Sequence, residues 1–153
     1  MRRLPSICAI VLPTVAAAIA AGCGEGEAAN GAVVSVYVAA PLCREAQAEL
    51  ARAGGDAGDL KVRAICLADT QVRSGADLAS AGANARRATE DSASVAFLEA
   101  PGPAARFTGS IVDAAKIAWI ETSSGSAVMQ RVLEALEGRG SSSPRSAVLD
   151  QLG

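Results

Sequence analysis

The side chains of this chain that could do acid–base chemistry are carboxylates, because the sequence contains no histidine. Asp69, Glu99 and Glu121 each follow a short apolar run with the character of a β-strand. Carboxylates at neighbouring strand ends can pair as acid and base, or can hold a cation. Exposed carboxylates at loop mouths are usually only solvated, however, and no nucleophile here has an obvious base beside it. We therefore expect a protein that is not an enzyme, with no catalytic residue, metal site or cofactor.

The first 22 residues have the organisation of a bacterial export signal. Arg2 and Arg3 make a basic start, residues 7–21 are apolar, and small residues lead to Cys23. The apolar run is short and rich in alanine for a membrane-spanning helix. The ending Ala21-Gly22-Cys23 resembles the lipobox of bacterial lipoproteins, in which the cysteine sulfur takes a diacylglycerol and the chain is cut before it. The resemblance implies an extracytoplasmic protein held at the cell membrane by acyl chains on Cys23. The alternatives are an ordinary secretory signal, with Cys23 incidental, and an uncleaved anchor.

If the chain is exported, its remaining cysteines can form a disulfide. Cys8 lies in the predicted signal, so Cys43 and Cys66 remain in the folded part, in a compartment where disulfides persist. We predict a Cys43–Cys66 disulfide with a Cα separation of roughly 4.4–6.8 Å. Two buried free thiols are the alternative. A metal site would need further ligands, and the chain has no histidine to supply one.

The charge of the chain limits the partners that it could bind, and its length limits the number of domains. The net formal charge is −2, and loss of Arg2 and Arg3 with the signal would make it more negative. An acidic chain is a poor partner for nucleic acid. We divide the chain into a signal (residues 1–22), a flexible tether (23–32), one α/β domain (33–138), and a linker with a short terminal helix (139–153).

Strand and helix patterns alternate through the predicted domain. Residues 33–39 are apolar on both faces, which is typical of a buried central parallel strand. Helical stripes end at glycines or begin at serines that can cap them. The predicted strands are residues 33–39, 60–67, 95–98 and 117–120; the predicted helices are residues 42–53, 78–90, one through Phe107 and Ile111 that ends near Lys116, one from Ser124 or Ser126 to Glu137, and a last short one from Pro144.

Four strand–helix units in a row predict a three-layer α/β domain, Rossmann-like or flavodoxin-like, with a four-stranded parallel sheet. In such sheets ligands bind beyond the carboxyl ends of the strands, where the strand order reverses. We therefore predict an open pocket or groove formed by the segments that follow the first, third and fourth strands. Its lining residues are Ala40, Pro41, Glu99, Ala100 and residues 122–126.

Residues 33–137 resemble the first part of the amino-terminal lobe of type I periplasmic binding proteins, in particular the substrate-binding lipoproteins of branched-chain amino-acid ABC transporters. Residues 83–88 with the strand at 95–98 are similar to the helix and strand before that family's first ligand loop. The family's second ligand loop is formed by a strand and a hydroxyl-rich turn. Similar features here are the strand at residues 117–120 and the turn Thr122-Ser123-Ser124-Gly125-Ser126. The resemblance implies the strand order 2-1-3-4, with the chain covering a half-lobe.

The resemblance also implies a ligand-binding role for the turn after the fourth strand. In the family, hydroxyls and helix-terminal N–H groups there hold the ligand's carboxylate, as a helix N-terminus would favour. Ser123, Ser124 and Ser126 match that role, and Thr122 is a predicted ligand-binding residue of the same turn. The alternative is that the serines only cap the helix. Glu99 departs from the family pattern of small hydroxyl residues and would repel an anion.

Two functions therefore remain open from the sequence. The first is a ligand-binding or sensing lipoprotein, completed by a dimer, by a second lobe-forming chain or by an ABC permease, because a half-lobe offers only one wall to a small molecule. The second is a non-catalytic surface lipoprotein that serves as an interaction module or is a truncated relic.

Overall fold

The computed structural model describes residues 32–69 and 75–153, with the side chains of residues 75–77 left aside. The described elements, in chain order, are β1 (Val33–Val38), α1 (Ala40–Arg52), β2 (Asp56–Ala57), β3 (Leu60–Cys66), α2 (Gly75–Glu90), β4 (Ser94–Glu99), α3 (Ala105–Ala114), β5 (Ala118–Glu121), α4 (Gly125–Glu137) and α5 (Pro144–Leu152).

The strands form one mixed sheet in the order β2-β3-β1-β4-β5. β1 pairs in parallel with β3 on one side and β4 on the other, and β4 pairs in parallel with β5. β2 is antiparallel to β3. The predicted four-stranded, all-parallel sheet is therefore wrong in strand number and in the direction of one strand, although the four parallel strands have the predicted neighbours.

The missed strand β2 is part of a tight hairpin with β3. A strand of two residues is too short to leave an alternating apolar pattern, so periodicity could not reveal it. The signal that was available is the pair Gly58-Asp59, which fills the two-residue loop between Ala57 and Leu60. Gly58 has φ +61°, a left-handed conformation that glycine adopts without strain and that two-residue hairpin loops require.

Helices cover both faces of the sheet. On one face, Val34, Val36 and Val38 of β1 join a cluster with buried residues of α1, α4 and α5. On the other face, Tyr37 and Phe97 pack with buried residues of α2 and α3. The described residues thus form three layers, and β1 is buried because it lies in the middle of the sheet with helices above and below it.

Two helix predictions need correction. α1 begins at Ala40, so Pro41 lies in its first turn, where a missing N–H costs nothing. In α3 the predicted apolar stripe is wrong at Phe107, which is 44 % exposed, whereas Thr108 and Val112 are buried. The reason is the contact with β5: a Cβ on Gly109 would lie 3.2 Å from the Trp119 indole, so Gly109 and its neighbours face the sheet.

The terminal helix α5 packs onto the domain. Val148 is fully buried in the same cluster as α1 and α4. Ser143 caps the helix by accepting a hydrogen bond from the Ser146 N–H at 3.2 Å. The Arg145 guanidinium donates to the Ser94 carbonyl at 2.9 Å and to the Ser92 carbonyl at 3.1 Å. These contacts join α5 to the start of β4.

Candidate functional site

The segments that follow the parallel strands lie side by side at one edge of the sheet, which we call the carboxyl edge. Backbone hydrogen bonds continue the strand pairing beyond the strands themselves. The Ala39 N–H donates to the Leu98 carbonyl at 2.9 Å, and the Thr122 N–H donates to the Glu99 carbonyl at 2.8 Å. The predicted site residues after β1, β4 and β5 are therefore all at this edge.

The strand order reverses between β1 and β4. After β1 the chain enters α1 on one face of the sheet, and after β4 it enters α3 on the other face. The two segments therefore diverge at the carboxyl edge. Ala40 and Ala100 beside this switch point are half-buried, and Pro41 is exposed.

The hydroxyl-rich turn at the start of α4 satisfies most of its own hydrogen bonds. Ser124 is the N-cap of α4, and its Oγ accepts a hydrogen bond from the Ala127 N–H at 3.3 Å. Thr122 Oγ1 accepts from the Ser124 N–H at 3.1 Å, and Ser124 and Ser126 share a hydrogen bond at 3.3 Å. Ser123 is exposed. Ser124 thus caps the helix, and a ligand would have to compete for these groups.

A carboxylate from α1 already faces the N-terminus of α4. The Gly125 N–H donates to Glu45 Oε2 at 3.1 Å. A negative charge is favourable there because the unpaired N–H groups and the helix dipole give the end a partial positive charge. The sequence analysis missed Glu45 because its contact spans 80 residues of chain. No local pattern reveals such a contact.

Glu99 occupies the carboxyl edge, but its side chain is turned under α3. It is 6 % exposed, and its carboxyl group accepts a hydrogen bond from the Thr108 hydroxyl. Burial raises the pKa of Glu99; the Thr108 hydroxyl and the nearby Trp119 indole lower it in part, and Glu121 raises it further. The Trp119 Nε1 atom is itself buried and does not complete a hydrogen bond. The Glu99 side chain is therefore buried between the sheet and α3. It does not line an open pocket as an exposed, anion-repelling group, which is how the sequence analysis had interpreted it.

The remaining candidate carboxylates do not assemble a metal site among the described residues. Glu121 is the register partner of Glu99 in the β4–β5 pair and is exposed. Asp69 is exposed after β3. The described part of the chain has no group of three or more His, Cys, Asp or Glu side chains that could hold a metal ion.

Cys43 and Cys66 are joined in a disulfide. Their Cα atoms are 5.6 Å apart, inside the separation predicted from the sequence. Cys43 lies in the first part of α1 and Cys66 is the last residue of β3. The bond therefore ties the segment after β1 to the end of its neighbouring strand, next to the carboxyl edge.

The predicted signal, the tether and Cys23 lie outside the described residues. Among the helices of residues 32–69 and 75–153, none has the length and apolar character needed to span a membrane. In comparisons with known proteins, no protein-family model, no curated protein and no solved structure matches this chain.

Proposed function

We propose that this chain is an extracytoplasmic, lipid-anchored binding module without catalytic activity, which takes a small molecule at the carboxyl edge. The observation that carries the proposal is the switch point between β1 and β4. Helices that leave neighbouring strands toward opposite faces open a crevice at that point, and ligands of doubly wound sheets bind in such crevices. The resemblance to type I periplasmic binding proteins supports the same location.

The residues around the switch point suggest the chemistry of the ligand. Ala40, Pro41 and Ala100 offer small apolar surfaces, and Ser123 offers an exposed hydroxyl at the same edge. The Thr122 hydroxyl is already bonded to the Ser124 backbone, so a ligand would have to compete for it. An anionic ligand group is disfavoured, because the Glu45 carboxylate already faces the N-terminus of α4. We therefore infer a small molecule with an apolar part and uncharged hydrogen-bonding groups. In this proposal a second chain or a transporter permease supplies the opposite wall of the site.

A second function, that of an interaction module without a small-molecule ligand, is favoured by two observations. Glu45 and Glu99 bond to groups of the chain itself. The Ser124 hydroxyl is engaged in capping α4. Because these polar groups already have hydrogen-bond partners within the chain, fewer of them are free to bind a ligand at the carboxyl edge.

Thermal unfolding of the full-length chain in detergent distinguishes the two functions. The chain is heated with a panel of amino acids, small carboxylates and uncharged polyols. A ligand present at 100 times its Kd stabilises the folded state by about 2.7 kcal/mol, or roughly 10 °C in Tm for a domain of this size. The proposal predicts such a rise for at least one uncharged compound, and a panel without any rise favours the interaction module.

A matched pair of variants locates the binding. Ala100→Leu places a larger side chain beside the switch point and should abolish the ligand-induced rise. Ala83→Leu places the same side chain at an exposed position of α2 and should leave the rise intact. A rise that survives in Ala100→Leu would place the ligand elsewhere.

A further inference from the structure

Glu99 is a buried carboxyl group without a cation beside it. It is 6 % exposed and lies between the sheet and α3, where the Thr108 hydroxyl donates a hydrogen bond to it. Among the described residues, no lysine or arginine forms an ion pair with it. An ionised carboxylate in this place lacks the compensation that a buried charge needs. Ionisation therefore favours any movement that returns the Glu99 side chain to water.

The charges around Glu99 add to the cost of ionising it. Glu121 is its register partner in the β4–β5 pair, so the two side chains project from the same face of the sheet. Two neighbouring carboxylates repel each other when both are ionised. β1 brings no charged residue to this face, and its Tyr37 hydroxyl is bonded to Asp91. The described charged side chains of α2, of α3 and of the turn before β5 are all exposed: Arg86, Arg87, Glu90, Arg106, Asp113 and Lys116.

α3, the helix that covers Glu99, is held to the sheet mainly by small residues. Its buried residues are Ala105, Thr108, Gly109 and Val112. No side chain caps its first turn, and residues 101–103 before it are exposed. A segment with few large buried side chains opens locally at a lower free-energy cost than the core of a domain does. The amino end of α3 can therefore move while the rest of the domain stays folded.

We propose that Glu99 is a pH-sensitive latch for α3: the neutral carboxyl group holds the amino end of the helix against the sheet, and ionisation of the group releases it. In the closed form, Glu99 is hydrogen-bonded to Thr108 of α3. In the open form, the carboxyl group is in water and has its ordinary pKa of 4.5, whereas burial raises the pKa in the closed form. Rising pH therefore favours the open form.

Release of α3 widens the carboxyl edge, because α3 follows the segment that begins with Ala100. The latch acts on the fold itself, so this inference does not depend on whether a small molecule binds at that edge. Its failure would leave the thermal-shift experiment with ligands unaffected.

Trp119 reports the position of α3. It is the only tryptophan in the sequence, and a Cβ on Gly109 of α3 would lie 3.2 Å from its indole ring. Movement of α3 away from the sheet therefore uncovers the ring. Acrylamide is an uncharged quencher of tryptophan fluorescence. Its quenching of Trp119 measures the exposure of the ring and does not respond directly to the charge on Glu99.

A pH titration of acrylamide quenching tests the latch, with the full-length chain in an uncharged detergent. Quenching of the parent chain should be weak below pH 4.5 and should rise with a midpoint above that value. Glu99→Gln stays neutral, so it should show weak quenching at every pH. Glu121→Gln should move the rise to lower pH, because the Glu121 carboxylate raises the pKa of Glu99. Glu137→Gln, at an exposed position of α4, is the control and should titrate as the parent chain does.

Hydrogen exchange tests whether the movement is confined to α3. The parent chain and Glu99→Gln are compared at the same pH, so that the intrinsic exchange rate is the same for both. Above the midpoint, the amides of α3 should exchange faster in the parent chain, and the amides of α4 should exchange equally fast in both chains.

Four results would overturn the latch. The first is a parent chain whose quenching does not rise with pH, and the second is the same rise in Glu99→Gln. The third is an unchanged midpoint in Glu121→Gln, a variant at an exposed position that should fold as the parent chain does. The fourth is a loss of helical circular dichroism over the same pH range, which would mean that the whole domain unfolds.

Discussion

The buried carboxyl group of Glu99 should make the stability of the domain depend on pH. Burial raises the pKa of Glu99 above its ordinary value of 4.5. As pH rises above that value, the unfolded chain loses this proton more readily than the folded chain does. Stability contributed by the protonated group is therefore complete below that ordinary value of 4.5 and is lost as pH rises through the folded-state pKa.

We predict that Glu99→Gln is more stable than the parent chain at neutral pH. The neutral amide has a similar shape and removes the cost of ionising a buried group. The difference in Tm should disappear as pH falls below 4.5, where the carboxyl group becomes protonated in both states. Thermal unfolding at a series of pH values measures it, with Glu137→Gln as an exposed control. A variant that is less stable than the parent chain at neutral pH would contradict the prediction.

Single residues of the candidate site were predictable where their role is local. Ser124 precedes an apolar helical stripe, so its capping role follows from the sequence. The sequence also predicted that Glu99 lies at the carboxyl edge, but it did not predict the direction in which the side chain points. It depends on which face of β4 the side chain points to and on Thr108, which the chain brings to that face through α3. Glu45 could not be placed at all, since its contact with Gly125 is made by the crossing of two helices.

At the scale of elements, the crossing of α1 and α4 depends on Gly125. A Cβ at this position would collide with the Leu42 carbonyl oxygen and would lie 3.2 Å from the Ala46 nitrogen. The two helices therefore approach each other with backbone against backbone. This approach is also what brings Glu45 within hydrogen-bond distance of the α4 N-terminus.

We predict that Gly125→Ala destabilises the domain by about 1–3 kcal/mol, the usual cost of overpacking. The helices must separate to make room, and the Glu45 hydrogen bond should weaken with them. Gly102→Ala is the matched control, because the nearest atom to a Cβ there is the Ala100 carbonyl oxygen at 4.0 Å. Urea unfolding of both variants measures the effect. Equal midpoints for the two variants would show that the crossing tolerates a side chain.

Some strands and helices could be predicted from their sequence patterns more completely than others. The four parallel strands carry runs of apolar residues long enough to be recognised, and α1 and α4 carry clear apolar stripes. The position of Phe107 was wrong because the rotation of α3 is set by the fit of Gly109 against Trp119. Such a contact between elements is not visible in the periodicity of either one.

At the scale of the whole molecule, the anchoring of the chain remains a prediction from its first residues. If Cys23 is acylated, its acyl chains hold the domain at the membrane through a tether of about ten residues. The general class, α/β with helices on both faces of the sheet, followed from the alternation of strand and helix patterns. The antiparallel strand β2 could not be predicted from this alternation, because it depends on a single turn.

We predict that Cys23→Ala releases the protein from the membrane or leaves its precursor unprocessed. The substitution removes the sulfur that would take the diacylglycerol. Cys8→Ala is the matched control, because Cys8 lies within the predicted signal and should not affect anchoring. Membrane fractionation and the mass of the product measure both variants. A Cys23→Ala chain that stays with the membrane at the parent mass would contradict the lipoprotein assignment.

The central position of β1 has a consequence for how the chain folds. Val36 pairs with Ala64 on one side and with Ala96 on the other. A chain that emerges from its amino end therefore completes the surroundings of its first strand only after β4 has emerged. Until then the apolar run Val-Val-Ser-Val-Tyr-Val is left with at least one unpaired edge. Non-local parallel pairing of this kind forms slowly, so the newly made domain is most prone to aggregate before β4 joins β1.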